Sequence, residues 1–216
     1  MEATLSEIVV TGTMKAVKRL ESPVPVELYN PSFFRKNPTS CIFDGLQLVN
    51  GVRPQINCNV CNTGDIRING LPGPYTMVLI DGMPIVSSLS TVYGLSGIPN
   101  SLVERIEIVK GPASSLYGSE AVGGLINVIT KKPSNASAIT ADLMTTTWNE
   151  LNADIGFTLK AGKKAAILTG INYFNYDSPK DVNGDSFTDL TLQKSLLIST
   201  TWLRQIASHQ NHWRYL

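Results

Sequence analysis

Cys58-Asn59-Val60-Cys61 sets two thiols at a C-x-x-C spacing, which suits a redox pair, half of a zinc site or a tight disulfide loop. A structural zinc site takes four ligands. Cys41 is the remaining cysteine, and both histidines, His209 and His212, lie far off near the last residue. Three cysteines also make a poor disulfide scaffold. A Cys58–Cys61 disulfide is the expectation in an oxidising compartment, with Cys41 a small buried residue or an alternative partner. Asp181, Asn183, Asp185 and Asp189 offer oxygens at the first, third, fifth and ninth places of a calcium-loop register. That loop lacks the glycine at the sixth place and carries Leu192 where glutamate belongs. Calcium is therefore a secondary expectation beside a polar hairpin loop. Gly111 to Gly124 is glycine-rich but has no G-K-[ST], so it is not a phosphate loop; tight turns and close packing against a surrounding wall are its expected uses. No nucleophile–base–acid set is readable, and an enzyme is not expected.

The elements that would hold these residues change style near Lys131-Lys132-Pro133. Before it, short apolar runs are broken by Gly, Pro, Asn and Asp. Pro23–Tyr29, with prolines at its entrance, Ile66–Ile68, Thr76–Ile80, Val103–Val109 and Leu125–Thr130 read as strands. Pro31 opens a short helix, and Thr39 or Ser40 caps a second with Ile42, Phe43, Leu46 and Val49 at helical spacing. Asp81-Gly82 is a turn signal. Pro112 suits the first turn of a short helix ending at Tyr117-Gly118. Val103–Val109 alternates between an apolar and a charged face, so Arg105 and Glu107 are expected either in solvent or paired with charges of a neighbouring wall.

After Pro133 the alternation is of period two. In Leu151–Lys160 every odd position is apolar and every even one polar or Gly. Ile139–Thr147 precedes it across Asn149-Glu150, Ala165–Tyr176 follows across Gly162-Lys163-Lys164, and Leu190–Trp202 resumes after a longer loop. Segments of about ten residues joined by tight turns and longer loops suit an outer-membrane barrel; on pattern alone a soluble β-sandwich fits equally. The four strands fall short of the roughly eight of the smallest membrane barrels, so a complete barrel is excluded. From Arg204 to Leu216 the alternation lapses, which suggests a truncated or frame-shifted end.

Composition narrows the classes. The 216 residues, 43% hydrophobic and 16% charged, are too apolar for a disordered chain. Eighteen basic against 17 acidic residues leave a charge of +1, which offers nucleic acid no basic field. No apolar run approaches the length of a membrane-spanning helix, and Met1-Glu2-Ala3-Thr4 lacks the features of a signal peptide.

The run Val103-Glu104-Arg105-Ile106-Glu107-Ile108-Val109-Lys110-Gly111-Pro112, followed by Tyr117-Gly118 and by Gly123-Gly124-Leu125-Ile126-Asn127-Val128-Ile129-Thr130-Lys131, closely resembles the end of the plug domain of TonB-dependent outer-membrane receptors. Ile66-Arg67-Ile68-Asn69-Gly70 and Val78-Leu79-Ile80-Asp81-Gly82 resemble that family's central plug strands. Glu7-Ile8-Val9-Val10-Thr11-Gly12-Thr13 resembles its TonB box. The resemblance spans about residues 7–202 and is strongest over 66–131.

The resemblance implies an N-terminal segment 1–22 with the box at 7–13, an α+β plug domain over 23–133, and over 134–216 the first antiparallel strands of a transmembrane β-barrel that is incomplete. It implies energy-coupled uptake of a scarce ligand such as a ferric siderophore, haem or cobalamin. The partners would be the periplasmic domain of TonB, outer-membrane lipid and a small-molecule or metal-chelate substrate; the location would be the bacterial outer membrane, after removal of an export signal. Residues 7–13 would bind TonB by adding a strand to its sheet edge, where backbone hydrogen bonds supply affinity; the alternative is an ordinary first strand. The rival for the whole chain is a soluble plug-like binding or signalling module without transport.

Overall fold

Short apolar runs punctuated by proline and glycine become short strands, and the period-two segments become long ones. The computed structural model describes residues 7–36, 39, 41–58, 63–85, 95, 98–161, 165–189 and 191–204. In chain order the elements are β1 (Ile8–Val9), β2 (Val17–Lys18), β3 (Val26–Tyr29), α1 (Pro31–Lys36), α2 (Ile42–Gly45), β4 (Val52–Cys58) and β5 (Thr63–Ile68). There follow β6 (Thr76–Ile80), β7 (Met83–Pro84), β8 (Val103–Lys110), α3 (Ser114–Tyr117) and β9 (Gly124–Thr130). The series ends with β10 (Ile139–Thr145), β11 (Leu151–Ala161), β12 (Ala165–Tyr176) and β13 (Gln193–Arg204).

The chain forms two compact units, one comprising Met1–Ser96 with Val103–Thr130, the other Gly97–Leu102 with Lys131–Leu216. In the first, a five-stranded sheet has the order β3-β8-β9-β6-β7, with β6 and β9 parallel and the other neighbours antiparallel. β9 is central, and its Leu125, Ile126 and Val128 are fully buried. A strand covered on both faces needs an unbroken apolar run rather than alternation. One face carries a cluster of Val9, Val26, Met77, Leu79, Val109, Ala113, Ala121 and Leu125. Asp81 and Gly82 both adopt positive φ, 50° and 82°, and close the β6–β7 hairpin in two residues; this is the primed turn that matches strand twist.

Several expectations are corrected here. Cys41, not Thr39 or Ser40, stands at the N-cap of α2, and no side chain caps it; Ser40 lies outside the described residues, and the Thr39 hydroxyl donates to the Cys41 carbonyl instead. Pro112 lies ahead of α3, whose N-cap is Ala113, while Gly118 ends it at φ 87° as expected. β8 has no simple charged face, because an irregularity between Val103 and Arg105 shifts its register against β9 and Glu107 is fully buried. β2 and β4 are strands that the pattern did not reveal: β2 is two residues long, and β4 is polar with Pro54 inside it.

The second unit holds a four-stranded antiparallel sheet, β10-β11-β12-β13. Its polarity is the reverse of the first unit's. Asn152, Asp154 and Thr158 on β11 and Asn172 on β12 are buried, whereas Ile139, Leu143, Ile155, Leu159, Leu196 and Ile198 are exposed, Leu143 to 76%. No helix among the described residues is long and apolar enough to cross a membrane.

Candidate functional site

The first unit brings the N-terminal segment and the motif of β8–β9 together around one carboxylate. Glu107 sits in β8, 0% exposed, between Ile106 and Ile108. Its Oε1 receives Arg105 through Nε at 2.9 Å and Nη2 at 2.8 Å. Its Oε2 accepts the backbone N–H of Val10 at 3.0 Å and of Thr11 at 2.9 Å, and the Thr11 hydroxyl as well. A buried carboxylate needs opposite charge and several donors, and this one has both. Arg105 also meets Glu104 at 2.7 Å. Among the described residues, then, Arg105 and Glu107 pair with each other, and Glu107 is not in solvent.

Thr11 is the focus of a second set of contacts. Asn127 Nδ2 donates to its hydroxyl oxygen at 3.0 Å, and the Tyr117 hydroxyl donates to its carbonyl at 3.0 Å. Burial, and then the nearby Glu107 carboxylate, push the Tyr117 phenol above its ordinary range, so it stays a donor. The Asn127 carbonyl oxygen accepts the Gly82 N–H at 3.0 Å. Thus one side chain of β9 joins the β6–β7 turn to residue 11.

Residues 7–13 are folded rather than free. Ile8 and Val9 pair with Lys18 and Val17, Glu7 is bound by Arg19 at 2.7 Å, and Val9 is buried in the core. Gly12 lies so close to Ser22 that a Cβ would strike the Ser22 hydroxyl. Thr13 is half-buried, its hydroxyl turned to the Lys15 carbonyl.

The other motif residues are more scattered. Lys110 reaches Glu27 at 2.6 Å across the β3–β8 pair, and Tyr29 donates to the same oxygen. Burial raises the Glu27 carboxyl, but the bonds from Lys110 and Tyr29 outweigh it and leave it below the usual range. Gly111 and Gly118 have positive φ with open space around the missing Cβ. Gly123 lies against Tyr75 and Leu71, and Gly124 against Val109 and Ile68. Those contacts are with strands and turns of their own unit.

Cys58 ends β4, and Cys61 lies outside the described residues, as do His209 and His212. The Cys41 thiol donates to Asp44 at 3.3 Å; burial and the Asp44 carboxylate push it up to about 12. Asp181, Asp185 and Asp189 make no metal-binding group among the described residues. They serve their own loop: Asp181 accepts the N–H groups of Gly184, Asp185 and Ser186, Asp189 that of Val182, and Asp185 that of Phe187. Asn183 donates to Asp185.

The second unit holds polar contacts that the sequence did not announce. Asp154, 2% exposed, accepts the Ser101 N–H at 3.1 Å, and Asn172 donates to Asn152 at 2.8 Å. Gly156 and Gly170 leave the strands open to this segment, since a Cβ at either would crowd Ser101 or Leu102. Period two marked the polar face of β11 but not the chain that would cover it.

Residues 18–125 match the TonB-dependent Receptor Plug Domain family. The chain is 33% identical over 145 residues to the ferric enterobactin receptor PirA of Pseudomonas aeruginosa, covering 61% of this chain and 19% of that protein. It is 30% identical over 149 residues to the probable TonB-dependent siderophore receptor PirA of Acinetobacter baumannii, covering 62% and 19%. The crystal structure of the siderophore receptor PiuA from Acinetobacter baumannii superimposes with a TM-score of 0.61 at 19% identity, over 83% of this chain and 24% of that one. The chain therefore spans about a fifth of the length of the curated relatives it matches.

Proposed function

Since the chain belongs to the TonB-dependent receptors, as the match of its plug domain over residues 18–125 shows, we propose that it supplies the plug and the first barrel strands of an outer-membrane transporter that takes up a ferric siderophore. The observation that carries this is the polarity of the second unit, where polar Asn152, Asp154 and Thr158 are buried and Ile139, Leu143, Ile155 and Leu159 are exposed. A soluble sandwich would do the opposite. An apolar outer band belongs against hydrocarbon, and a polar inner face belongs in the lumen. No bond of the substrate is changed; the work is binding and passage.

The named relatives are receptors for ferric enterobactin or for siderophores, which favours an iron chelate over haem or cobalamin. The energy would come through TonB in the periplasm, engaging residues 7–13 by strand addition. A peptide covering Glu7–Thr13 should bind the periplasmic domain of TonB, and Val9→Pro should weaken it by removing a donor; equal binding by both peptides would sink that assignment.

The function is tested by expressing the whole receptor in a strain stripped of siderophore receptors and measuring uptake of radiolabelled iron as ferric enterobactin. Uptake that needs both the receptor and TonB is expected. A receptor that assembles in the outer membrane yet takes up no ferric siderophore would overturn the substrate. A product found in the soluble fraction without detergent would favour the soluble plug-like module.

A further inference from the structure

We propose that residues 98–102 are a fixed foothold on the first barrel strands, which stays seated while other parts of the plug rearrange to let substrate pass. The proposal rests on the reading of the chain as a transporter. These residues lie in the chain between β7 and β8, whose sheet belongs to the first unit, yet Gly97–Leu102 packs into the second. The bed is shaped for them. Gly156 of β11 and Gly170 of β12 stand directly opposite one another. A Cβ on Gly156 would come within 2.9 Å of the Ser101 Cβ, and one on Gly170 within 2.7 Å of the Leu102 Cγ and 3.0 Å of the Pro99 Cβ. Any larger residue at either place would lift the segment, so glycine serves here for close approach. Seated in that dent, Ser101 and Leu102 are 4% and 1% exposed.

Hydrogen bonds hold the same two residues along the main chain. The next pair in register beside the glycines is Asp154 with Asn172, and Asp154 accepts the Ser101 N–H at 3.1 Å. Lys131 donates through Nζ to the Ser101 carbonyl and through its backbone N–H to the Leu102 carbonyl, both at 2.7 Å. The Leu102 N–H closes its own turn on the Pro99 carbonyl at 2.9 Å. Both peptide groups of both residues are thus engaged. Withdrawal would bare Leu102, break both bonds from Lys131 and take a donor from a buried carboxylate. The foothold also decides where movement can start. Leu102 runs straight into Val103 of β8, Lys131 follows Thr130 of β9, and Val103 pairs with Thr130. One end of the β8–β9 pair is therefore clamped. Rearrangement has to begin at its far end, where Lys110 meets Gly124, or in strands outside the pair.

The experiment uses the full receptor in the outer membrane, carrying Ser101→Cys with Gly156→Cys. Their Cβ atoms lie close enough for a disulfide after a small shift. Uptake of labelled iron as ferric enterobactin is measured with the pair oxidised and again after reduction, and mass spectrometry follows the bond. Oxidation should change uptake by less than about twofold, because a motion that turnover does not require can be blocked without slowing it. A greater loss that reduction restores would overturn the foothold, since the segment would then have to leave its bed in each cycle. An unsubstituted receptor that takes up none removes the transporter reading, and the foothold falls with it; that failure shows before any bond is made. If the cysteine pair does not assemble or close, hydrogen exchange in the unsubstituted receptor decides. Protection of the Ser101 and Leu102 amides should hold when ferric enterobactin and the periplasmic domain of TonB are added together. Exchange about tenfold faster at these amides would mean that the segment opens locally, and would overturn the proposal.

Discussion

The two units solve opposite burial problems with similar residues. In the plug, β9 buries Leu125, Ile126 and Val128 and leaves its polar work to Asn127, which is itself fully buried and bonded at both ends of its amide. In β11 the isoleucine and leucines stand exposed, while Asn152 and Asp154 are covered. The plug keeps its apolar side chains inside, and the sheet of the second unit carries many of them outside. What the difference teaches is that alternation tells which residues share a face, and only burial tells which solvent that face meets.

The contrast can be broken at single positions. The largest effect is expected from Ile126→Ala in β9: deleting a fully buried side chain typically costs about 2–5 kcal/mol. Chemical denaturation of the refolded receptor, followed on the plug, should show it; a loss below about 1 kcal/mol would mean β9 is not central. Ile155→Arg should be next. An arginine on the lipid face near the bilayer midplane costs about 2–4 kcal/mol, so assembly into vesicles should fall sharply, whereas Ile155→Ala should assemble normally. Normal assembly of the arginine variant would place that face in water and return the sheet to a soluble class. Asp154→Ala should cost about 1–3 kcal/mol, since it leaves the buried Ser101 N–H without its acceptor. Hydrogen exchange at Ser101 would report it, and unaltered protection there would remove Asp154 from that role. The smallest effect concerns Cys41, whose thiol is held protonated well above pH 8. Iodoacetamide at that pH should leave it unmodified in the folded receptor and alkylate it after denaturation. Equal rates would show the burial to be wrong.

Much of the architecture could be read beforehand, and the exceptions have physical reasons. Thr76–Ile80 coincides with β6, and Leu151–Lys160 falls within one residue of β11, because an apolar run in one case and strict alternation in the other leave no rival period. β4 was missed because Arg53, Pro54, Gln55 and Asn57 carry neither pattern; its partner β5 makes it a strand. The helical spacing from Ile42 to Val49 was real, but the helix is one turn and passes into a tighter one at Leu46. For the site, the motif placed Glu107, Tyr117 and Asn127 near one another. Nothing local showed that they would meet Thr11, about a hundred residues away in the chain. Glu107 also sits where alternation put a charge either in solvent or against charges of a neighbouring wall, and it is fully buried. A contact made through backbone N–H groups of residues 10 and 11 leaves no imprint on side-chain types, which is why the sequence was silent about it.

The β1–β2 ladder has two rungs, Ile8 with Lys18 and Val9 with Val17, whereas β8 and β9 share seven. Both ends of the shorter ladder that lead away from its turn lie side by side. A load applied to the chain ahead of residue 7 would therefore unzip it one rung at a time rather than shear it as a block. β1 is drawn out first, and the load then passes to the bonds that tie Val10 and Thr11 to Glu107 in β8.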